Sequence, residues 1–173
     1  MAWTTPRDWV GGEFVTESIM DTHVRDNLTL VPHFLRKTAD ESVVSSTTPQ
    51  DDDHLTFSIA ANEVWSVQAV LWHSSASGTP HFRYSFAAPA SATFHLIGRS
   101  LTTGGVFQFI NIRSAADNCD ALSGSTFQIS FLDGVVVNAG TAGSARVTWA
   151  QAVSNATATV LKQNSHMFIA RLA

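Results

Sequence analysis

Alternating hydrophobic and polar residues dominate the chain from residue 54 to its end. Successive side chains of a strand point to opposite faces, so this alternation is typical of half-buried β-strands. The longest run, 64–74, places Trp65, Val67, Ala69 and Leu71 on one face. Turn sequences separate the runs about every eight to twelve residues, which is the spacing of a sandwich. The pattern predicts a mainly β protein, built as an antiparallel β-sandwich or jelly roll.

The predicted strands are 54–59, 64–74, 82–86, 92–99, 106–113, 126–132, 135–138, 146–153, 157–161 and 167–172. Residues 32–53 are predicted to form a linker, with a short strand at 42–46 as an option. Asp133-Gly134 is a turn signal, and 114–125 is predicted to be a polar loop that contains Cys119. No strand–helix–strand unit is visible, which argues against a nucleotide-binding α/β fold.

One helix is predicted, over residues 16–31. Thr16 suits the N-cap and Glu17 the first turn, and Pro32 ends the helix. Its apolar residues form a single stripe at helical spacing, consisting of Met20, Val24, Leu28 and Val31. A helix of about four turns is marginal alone in water. The stripe should therefore pack, either on the subunit's own β-domain or against copies of itself or a partner.

Residues 1–15 are predicted to form an extended arm, because Pro6 and Gly11-Gly12 interrupt any regular pattern. Large aromatic side chains in an arm need a surface on which to dock. Asn27, beside the helical stripe, could set the register of a helical bundle. We expect two parts, an anchor or assembly segment at 1–40 and a β-sandwich domain at 41–173. The expected assembly interface consists of Trp3, Trp9, Phe14, Met20, Val24, Asn27, Leu28 and Val31.

Charged residues make up only 14% of the chain, while hydrophobic residues make up 45%. Ordinary domains have roughly 25% charged residues, so the surface is either rich in Ser and Thr or partly covered by neighbouring subunits. The net charge is −4 and no basic run occurs. The chain thus lacks the positive charge that binds nucleic acid or an anionic membrane. No apolar stretch approaches a membrane span or the core of a signal peptide.

Candidate metal ligands are scattered along the sequence. The one cysteine excludes an internal disulfide and a zinc site built on Cys pairs. The seven histidines stand singly; His73, His81 and His95 could meet across strands, or could be ordinary core and surface residues. The acidic run at 51–53 could bind a hard cation, although a solvated loop fits it better. We expect no metal and no cofactor.

The residue patterns of common enzymes are missing from the sequence. No nucleophile elbow of the G-x-S-x-G type occurs, and the acids that follow Asp53 lie in predicted turns, where nothing pairs them. Cys119 has no base beside it in sequence. We therefore expect no enzymatic activity. Trp65 and Trp72 lie on opposite faces of one predicted strand, so one of them could stack on a sugar or on a neighbouring subunit.

Both ends of the chain resemble small virion proteins of tailed bacteriophages, especially those of actinobacteria. The N-terminal likeness lies in WTTPRDWVGGEFVT at 3–16 and MDTHVRDNL at 20–28. The C-terminal likeness lies in WAQ at 149–151, NATATVL at 155–161 and SHM at 165–167, with a less specific match at 52–72. Family members often have Gly-Ser before the last strand, where this chain has Asn164-Ser165.

The resemblance implies a non-enzymatic structural protein, an accessory component exposed on the particle as a minor tail or short tail-fibre protein. It implies a homotrimer that contacts other virion proteins, with synthesis in the bacterial cytoplasm and a final location in the virion. It supplies no active-site residues. A capsid decoration protein and a carbohydrate-binding module for the host surface remain alternatives, and an enzyme acting on cell-wall polymers is the weakest one. We expect no nucleic-acid or membrane partner.

Overall fold

Two antiparallel sheets form the body of the protein, whose computed structural model describes residues 4, 5 and 7–172. The strands are β1 (His33–Arg36), β2 (Glu41–Val43), β3 (Gln50–Ile59), β4 (Val64–Ser75), β5 (Phe82–Ala87), β6 (Thr93–Leu101), β7 (Phe107–Ile112), β8 (Cys119–Ala121), β9 (Gln128–Val137), β10 (Gly143–Ala150), β11 (Thr159–Leu161) and β12 (His166–Arg171). The mainly β, antiparallel class predicted from the alternation is confirmed.

The large sheet has eight strands and the small sheet has four. The large sheet runs β1-β12-β4-β9-β6-β7, with β11 also paired to β4 and β2 paired to β11. The small sheet runs β3-β10-β5-β8. From β2 onward the chain passes repeatedly from one sheet to the other, so neighbouring strands in a sheet are distant in sequence, except for β6 and β7. This connectivity is jelly-roll-like.

The inner faces of the two sheets enclose one apolar core. Trp65, Val67, Ala69 and Leu71 of β4 are buried in it, as the alternation predicts. The small sheet contributes large aromatic side chains that are fully buried, including Tyr84. The Tyr84 hydroxyl lies 3.2 Å from two carbonyl oxygens of the large sheet, those of Arg99 and Phe131. This polar link across the core fixes the position of β5 against β6 and β9.

The predicted helix is present but irregular. It consists of α1 (Glu17–Met20), a π-helical turn (Asp21–Arg25) and α2 (Asp26–Leu28). Thr16 is the N-cap, with its Oγ1 accepting a hydrogen bond from the Ile19 amide at 3.3 Å. The helix ends at Leu28, earlier than predicted, because Pro32 disfavours helical geometry in the residue before it and the chain tightens into turns there. No helix among the described residues is long and apolar enough to span a membrane.

The predicted turn at Asp133-Gly134 is wrong, because β9 runs straight through it. In β9, Gly134 pairs with Leu96 on one side and with Val67 on the other. A Cβ atom on Gly134 would lie 2.1 Å from the carbonyl oxygen of His95. The glycine therefore allows the backbones of β9 and β6 to approach closely, which is a common reason for glycine inside a strand.

Two predicted irregular stretches contain strands. The predicted linker at 32–53 includes β1, β2 and the beginning of β3. The predicted polar loop at 114–125 includes β8, where Cys119 is fully buried. Strands of three or four residues are too short to show a period of two in sequence, so only their pairing in the folded chain defines them.

Candidate assembly surfaces

The outer face of the small sheet is polar. Arg83 and Asp120 form a bidentate ion pair there, with both N–O distances at 2.7 Å. A second pair joins Arg146 to Asp51 at 2.7 Å. Its other outward side chains include Thr56 and small hydroxyl residues. Such a face is well solvated and needs no cover.

The outer face of the large sheet carries many exposed apolar side chains, with polar ones such as Gln68, His95 and Asn111 between them. The strand register places aromatic and aliphatic side chains next to one another across six strands. Phe34 lies with its ring centroid 5.6 Å from that of Phe168, and Phe107 lies 5.8 Å from Phe109. We name this surface the apolar face; its members are Phe34, Phe168, Val70, Trp72, Phe127, Ile129, Phe131, Val135, Ile97, Phe107 and Phe109.

The apolar face has the size of half a protein–protein interface. Five of its phenylalanines, Phe34, Phe107, Phe109, Phe127 and Phe168, are 46–67% exposed. Since a fully buried aromatic side chain covers about 150–250 Å², these five expose roughly 400–700 Å². The largest apolar patch of a typical monomer is about 300–600 Å², and each partner of a standard interface contributes about 800 Å². The exposed apolar area of the face is therefore at least comparable to the largest apolar patch of a typical monomer.

An ion pair lies within the apolar face, and a second one, Lys162 with Asp40, borders the face at Phe127. Arg99 Nε is 3.0 Å from Asp133 Oδ2, and the guanidinium carbon lies 5.1 Å from the centre of the Phe131 ring. The two charges compensate each other and Arg99 also stacks on an aromatic face. The pair therefore allows the face to be covered without leaving an uncompensated charge.

The arm and helix leave most of the predicted interface residues uncovered. Trp3 lies outside the described residues. Phe14 is 90% exposed, and Trp9 is also largely exposed. In the helical stripe Val24 is half-buried, whereas Met20, Leu28 and Val31 are exposed. The stripe is thus not covered by the subunit's own sandwich, and its part in assembly stays a prediction.

Asn27 holds the arm to the helix within one subunit. Its Oδ1 accepts a hydrogen bond from the Thr4 amide at 3.0 Å, and its Nδ2 donates to the Thr4 carbonyl oxygen at 2.9 Å. A third bond runs from Nδ2 to the His23 carbonyl oxygen at 3.3 Å. The buried side chain therefore fixes where the arm begins relative to the helix.

The three histidines singled out in the sequence are not placed together to hold a metal ion, among the residues that the structure describes. His73 is buried in the core, stacked on Phe82 with centroids 4.2 Å apart and 2.9 Å from Ser130 Oγ, whereas His95 is exposed on the other side of the large sheet. Burial lowers the pKa of His73 to about 3. Across residues 4, 5 and 7–172, no group of three or more His, Cys, Asp or Glu side chains is placed to hold a metal ion.

Cys119 lies inside the core rather than in a solvated loop. Its Sγ is 3.4 Å from Ser100 Oγ. Burial raises the pKa of the Cys119 thiol, and burial likewise raises the pKa of the neighbouring Tyr84 phenol well above its usual range. A thiol that resists ionisation and has no access to solvent is a poor nucleophile.

One buried charged cluster has no counterpart in the sequence predictions. Lys37 and Asp52 are fully buried, with Nζ 2.5 Å from Oδ2, and Glu41 Oε2 lies 2.8 Å from the same nitrogen. The interpretation of 51–53 as a solvated loop is wrong for Asp52, since β3 begins at Gln50 and turns this residue inward. Extending the period of two upstream from Leu55 would turn Asp53 inward instead, and the register of β3 shifts in this stretch, so the sequence pattern gives no signal for Asp52.

A small open pocket lies at one end of the large sheet, beside the apolar face. It has a volume of about 280 Å³ and is lined by Asp40, Trp72, Phe127, Lys162, Gln163 and Asn164. The rings of Trp72 and Phe127 lie 6.4 Å apart and form one wall. Trp72 faces outward while Trp65 is buried, as their opposite positions on β4 predict.

No protein-family model matches this sequence, and no curated protein matches it. Among solved structures, the tripod from the baseplate of bacteriophage Tuc2009 aligns with 98% of this chain and 76% of its own, at 9% identity and a TM-score of 0.29.

Two structures of infectious bursal disease virus also align, the Gt strain at 10% identity and a subviral particle at 11%. Each covers 82% of this chain with a TM-score of 0.22, and the chain spans 37% and 40% of their respective lengths. With TM-scores below 0.5, these likenesses carry no argument about the function of this chain.

Proposed function

We propose that this protein is a non-enzymatic structural component of a tailed-bacteriophage particle, an accessory protein exposed on the tail as a minor tail or short tail-fibre protein. The observation that carries the proposal is the contrast between the two outer faces. The large sheet presents an apolar face around one ion pair, whereas the small sheet presents ion pairs and hydroxyl groups. A protein that works by assembling needs such a two-sided domain.

The occupant proposed for the apolar face is a second copy of the same chain. Self-association is favoured where charges within the face compensate each other, as Arg99 and Asp133 do. Homo-oligomers close around a symmetry axis, so three copies can cover their apolar faces around a threefold axis. The small sheets would then face the solvent. The trimer also agrees with the resemblance of both chain ends to small virion proteins.

The arm and helix are proposed to attach the trimer to the particle. Trp9 and Phe14 are exposed and lie away from any core, and three residues of the helical stripe are uncovered. Aromatic side chains of this kind gain most when another protein buries them. The partner proposed for them is another virion protein of the tail.

Deletion of residues 1–31 tests the attachment. We expect the shortened chain to keep the number of subunits of the full-length assembly, with a correspondingly lower mass, but to be missing from purified particles after expression during infection. Val153→Ser, at an exposed apolar residue outside both surfaces, is the control and should be incorporated normally. Incorporation of the shortened chain at the full-length level would contradict the proposal.

The number of copies per particle distinguishes a tail component from a capsid decoration protein. A capsid decoration protein could use the same apolar face and arm, so geometry does not distinguish the two locations. Quantitative mass spectrometry of purified particles would give hundreds of copies for a decoration protein and a handful for a tail component. We expect a handful.

A carbohydrate-binding function is the second candidate, and the pocket beside Trp72 favours it. An aromatic wall with carboxylate, amide and ammonium groups around it suits a sugar ring. A glycan array at high protein concentration, with Trp72→Ala as the control, tests this function. Binding that the variant loses would support it, and the absence of any signal from the wild-type protein would count against it.

A further inference from the structure

Lys37 occupies an unusual position for a lysine. Its side chain and that of Asp52 have no solvent exposure. The Lys37 backbone is held at both ends, since its amide donates to the Ser165 carbonyl oxygen at 2.8 Å and its own carbonyl accepts from the Asn164 amide at 3.0 Å. These two bonds fix the Lys37 backbone against the turn before β12, so the side chain starts from a fixed position.

The groups around the Lys37 amine form a set suited to amide chemistry. Asp52 Oδ2 lies 2.5 Å from Nζ and Glu41 Oε2 lies 2.8 Å from it. Asp52 Oδ1 accepts backbone hydrogen bonds from His54 at 3.0 Å and from Leu55 at 2.7 Å. Two backbone amides aimed at one carboxyl oxygen can stabilise negative charge that develops there, as in an oxyanion hole.

The second carboxyl group is held in place for proton transfer. Glu41 Oε1 accepts a hydrogen bond from Gln50 Nε2 at 2.5 Å, which leaves Oε2 directed at the Lys37 amine. The Glu41 side chain is partly exposed, so a small product formed beside it has a route to solvent. Glu41 can therefore accept a proton from the amine and pass it to the oxygen that leaves.

From this geometry we infer that Lys37 and Asp52 condense into an intramolecular amide, an isopeptide bond between Nζ and Cγ, with Glu41 as the proton shuttle. The inference does not depend on the proposed function. One proton transfer along the hydrogen bond between Nζ and Oδ2 converts the ion pair into an amine and a carboxylic acid, the two forms that condense. The amine and the carboxyl group are held in contact within one chain, so the reaction needs no encounter between molecules. The effective concentration of the amine at the carboxyl carbon is therefore large.

The step balances without any other reactant. The neutral Nζ attacks Cγ, and the electron pair of the C=O bond moves onto Oδ1, where the His54 and Leu55 amides stabilise it. Glu41 takes a proton from the attacking nitrogen and delivers it to Oδ2. The C–O bond to Oδ2 then breaks and one water molecule leaves. One N–C bond forms, one C–O bond breaks, and nothing is oxidised or reduced.

A second lysine–aspartate pair in the same protein provides a matched comparison. Lys162 and Asp40 also form an ion pair, but both side chains are partly exposed. The hydrogen bond from Lys162 lowers the pKa of the Asp40 carboxyl and so favours its charged form. A hydrated pair of full charges has neither a neutral amine nor a carboxylic acid, so we expect it to stay an ion pair.

The intact mass of the purified full-length chain tests the inference directly. We expect a mass below that of the sequence by one water molecule, about 18 Da. Digestion should yield a branched peptide that joins the segment containing Lys37 to the segment containing Asp52. A folded wild-type protein that keeps its full sequence mass after prolonged incubation at neutral pH would overturn the inference.

Two variants separate the chemistry from folding. Glu41→Gln keeps the shape of the side chain but cannot take the proton, so the folded variant should retain the mass of its own sequence. Loss of water from this variant at the wild-type rate would overturn the role of Glu41. Lys162→Met removes the comparison pair and should lose one water molecule like the wild type. A full-mass Lys162→Met protein would show that the bond lies at the exposed pair and overturn the assignment to Lys37.

Discussion

Arg99 and Asp133 form an ion pair inside the apolar face of the large sheet, with Nε 3.0 Å from Oδ2. Both charges are partly exposed in one subunit. In the proposed trimer a neighbouring subunit desolvates them together, so each charge must compensate the other. The subunits should therefore associate strongly when both charges are present or both are replaced, and weakly when only one of them remains.

A double-mutant cycle tests this dependence. Arg99→Met alone leaves Asp133 uncompensated beneath a neighbour and should weaken association by about 3–5 kcal/mol. Arg99→Met combined with Asp133→Leu removes both charges and should restore association to near the wild-type level. The measurement is the concentration dependence of mass in sedimentation experiments. Equal, small effects of the single and double variants would contradict a buried pair.

Phenylalanines of the apolar face should matter for assembly and little for the stability of one subunit. We expect Phe109→Ser with Phe168→Ser to give monomers, because each side chain is about half exposed or more in the subunit and so adds little to its core. The free energy of unfolding of the monomer, measured with a chemical denaturant, should change by about 0.5 kcal/mol or less per site. Val153→Ser is the matched control and should stay assembled. An assembled double variant would place the contact elsewhere.

His73 should make the protein sensitive to acid. Its pKa is about 3 in the folded protein, against about 6.5 in an unfolded chain. As the pH falls below about 6.5 the unfolded chain takes up a proton that the folded protein refuses, so stability is lost by up to about 1.4 kcal/mol per pH unit until pH 3.

Urea unfolding between pH 7 and pH 4 measures this loss. His73→Gln keeps a polar group near Ser130 but does not titrate, so we expect a shallower pH dependence even if the variant is less stable overall. The difference in slope between the two proteins is the diagnostic quantity. Identical slopes would mean that His73 does not contribute to the loss of stability in acid.

Gly134 should be intolerant of any side chain. Gly134→Ala places a methyl group 2.1 Å from the His95 carbonyl oxygen, so β9 and β6 must separate, and we expect a loss of about 3 kcal/mol or failure to fold. Gly140→Ala is the control because a Cβ there meets nothing within 4 Å. Thermal unfolding compares the two, and equal melting temperatures would refute the close approach.

The parts of the fold that followed from sequence are those with one buried face. The run at 64–74 became β4 with its predicted inner residues buried, because a period of two over many residues leaves only one register that covers the core. Thr16 likewise marks the helix start, since capping is decided by local geometry alone. Such features need no knowledge of distant partners.

Features that depend on distant partners could not be predicted. Gly134 resembles a turn until β6 is packed against it, and Lys37 resembles a solvated linker residue until Asp52 and Glu41 surround it. In β9 apolar side chains occupy both faces, as with Phe131 outside and Leu132 inside. Apolar residues on both faces of this run are visible in the sequence, but only the strand pairing shows which of the two faces lies against the core.

The solution mass of the full-length chain, measured by light scattering across a range of concentrations, is the direct test of assembly through the apolar face. Burial of the apolar face around a threefold axis predicts a mass three times the 18.6 kDa of the chain. A mass of 18.6 kDa at every concentration would contradict assembly through this face.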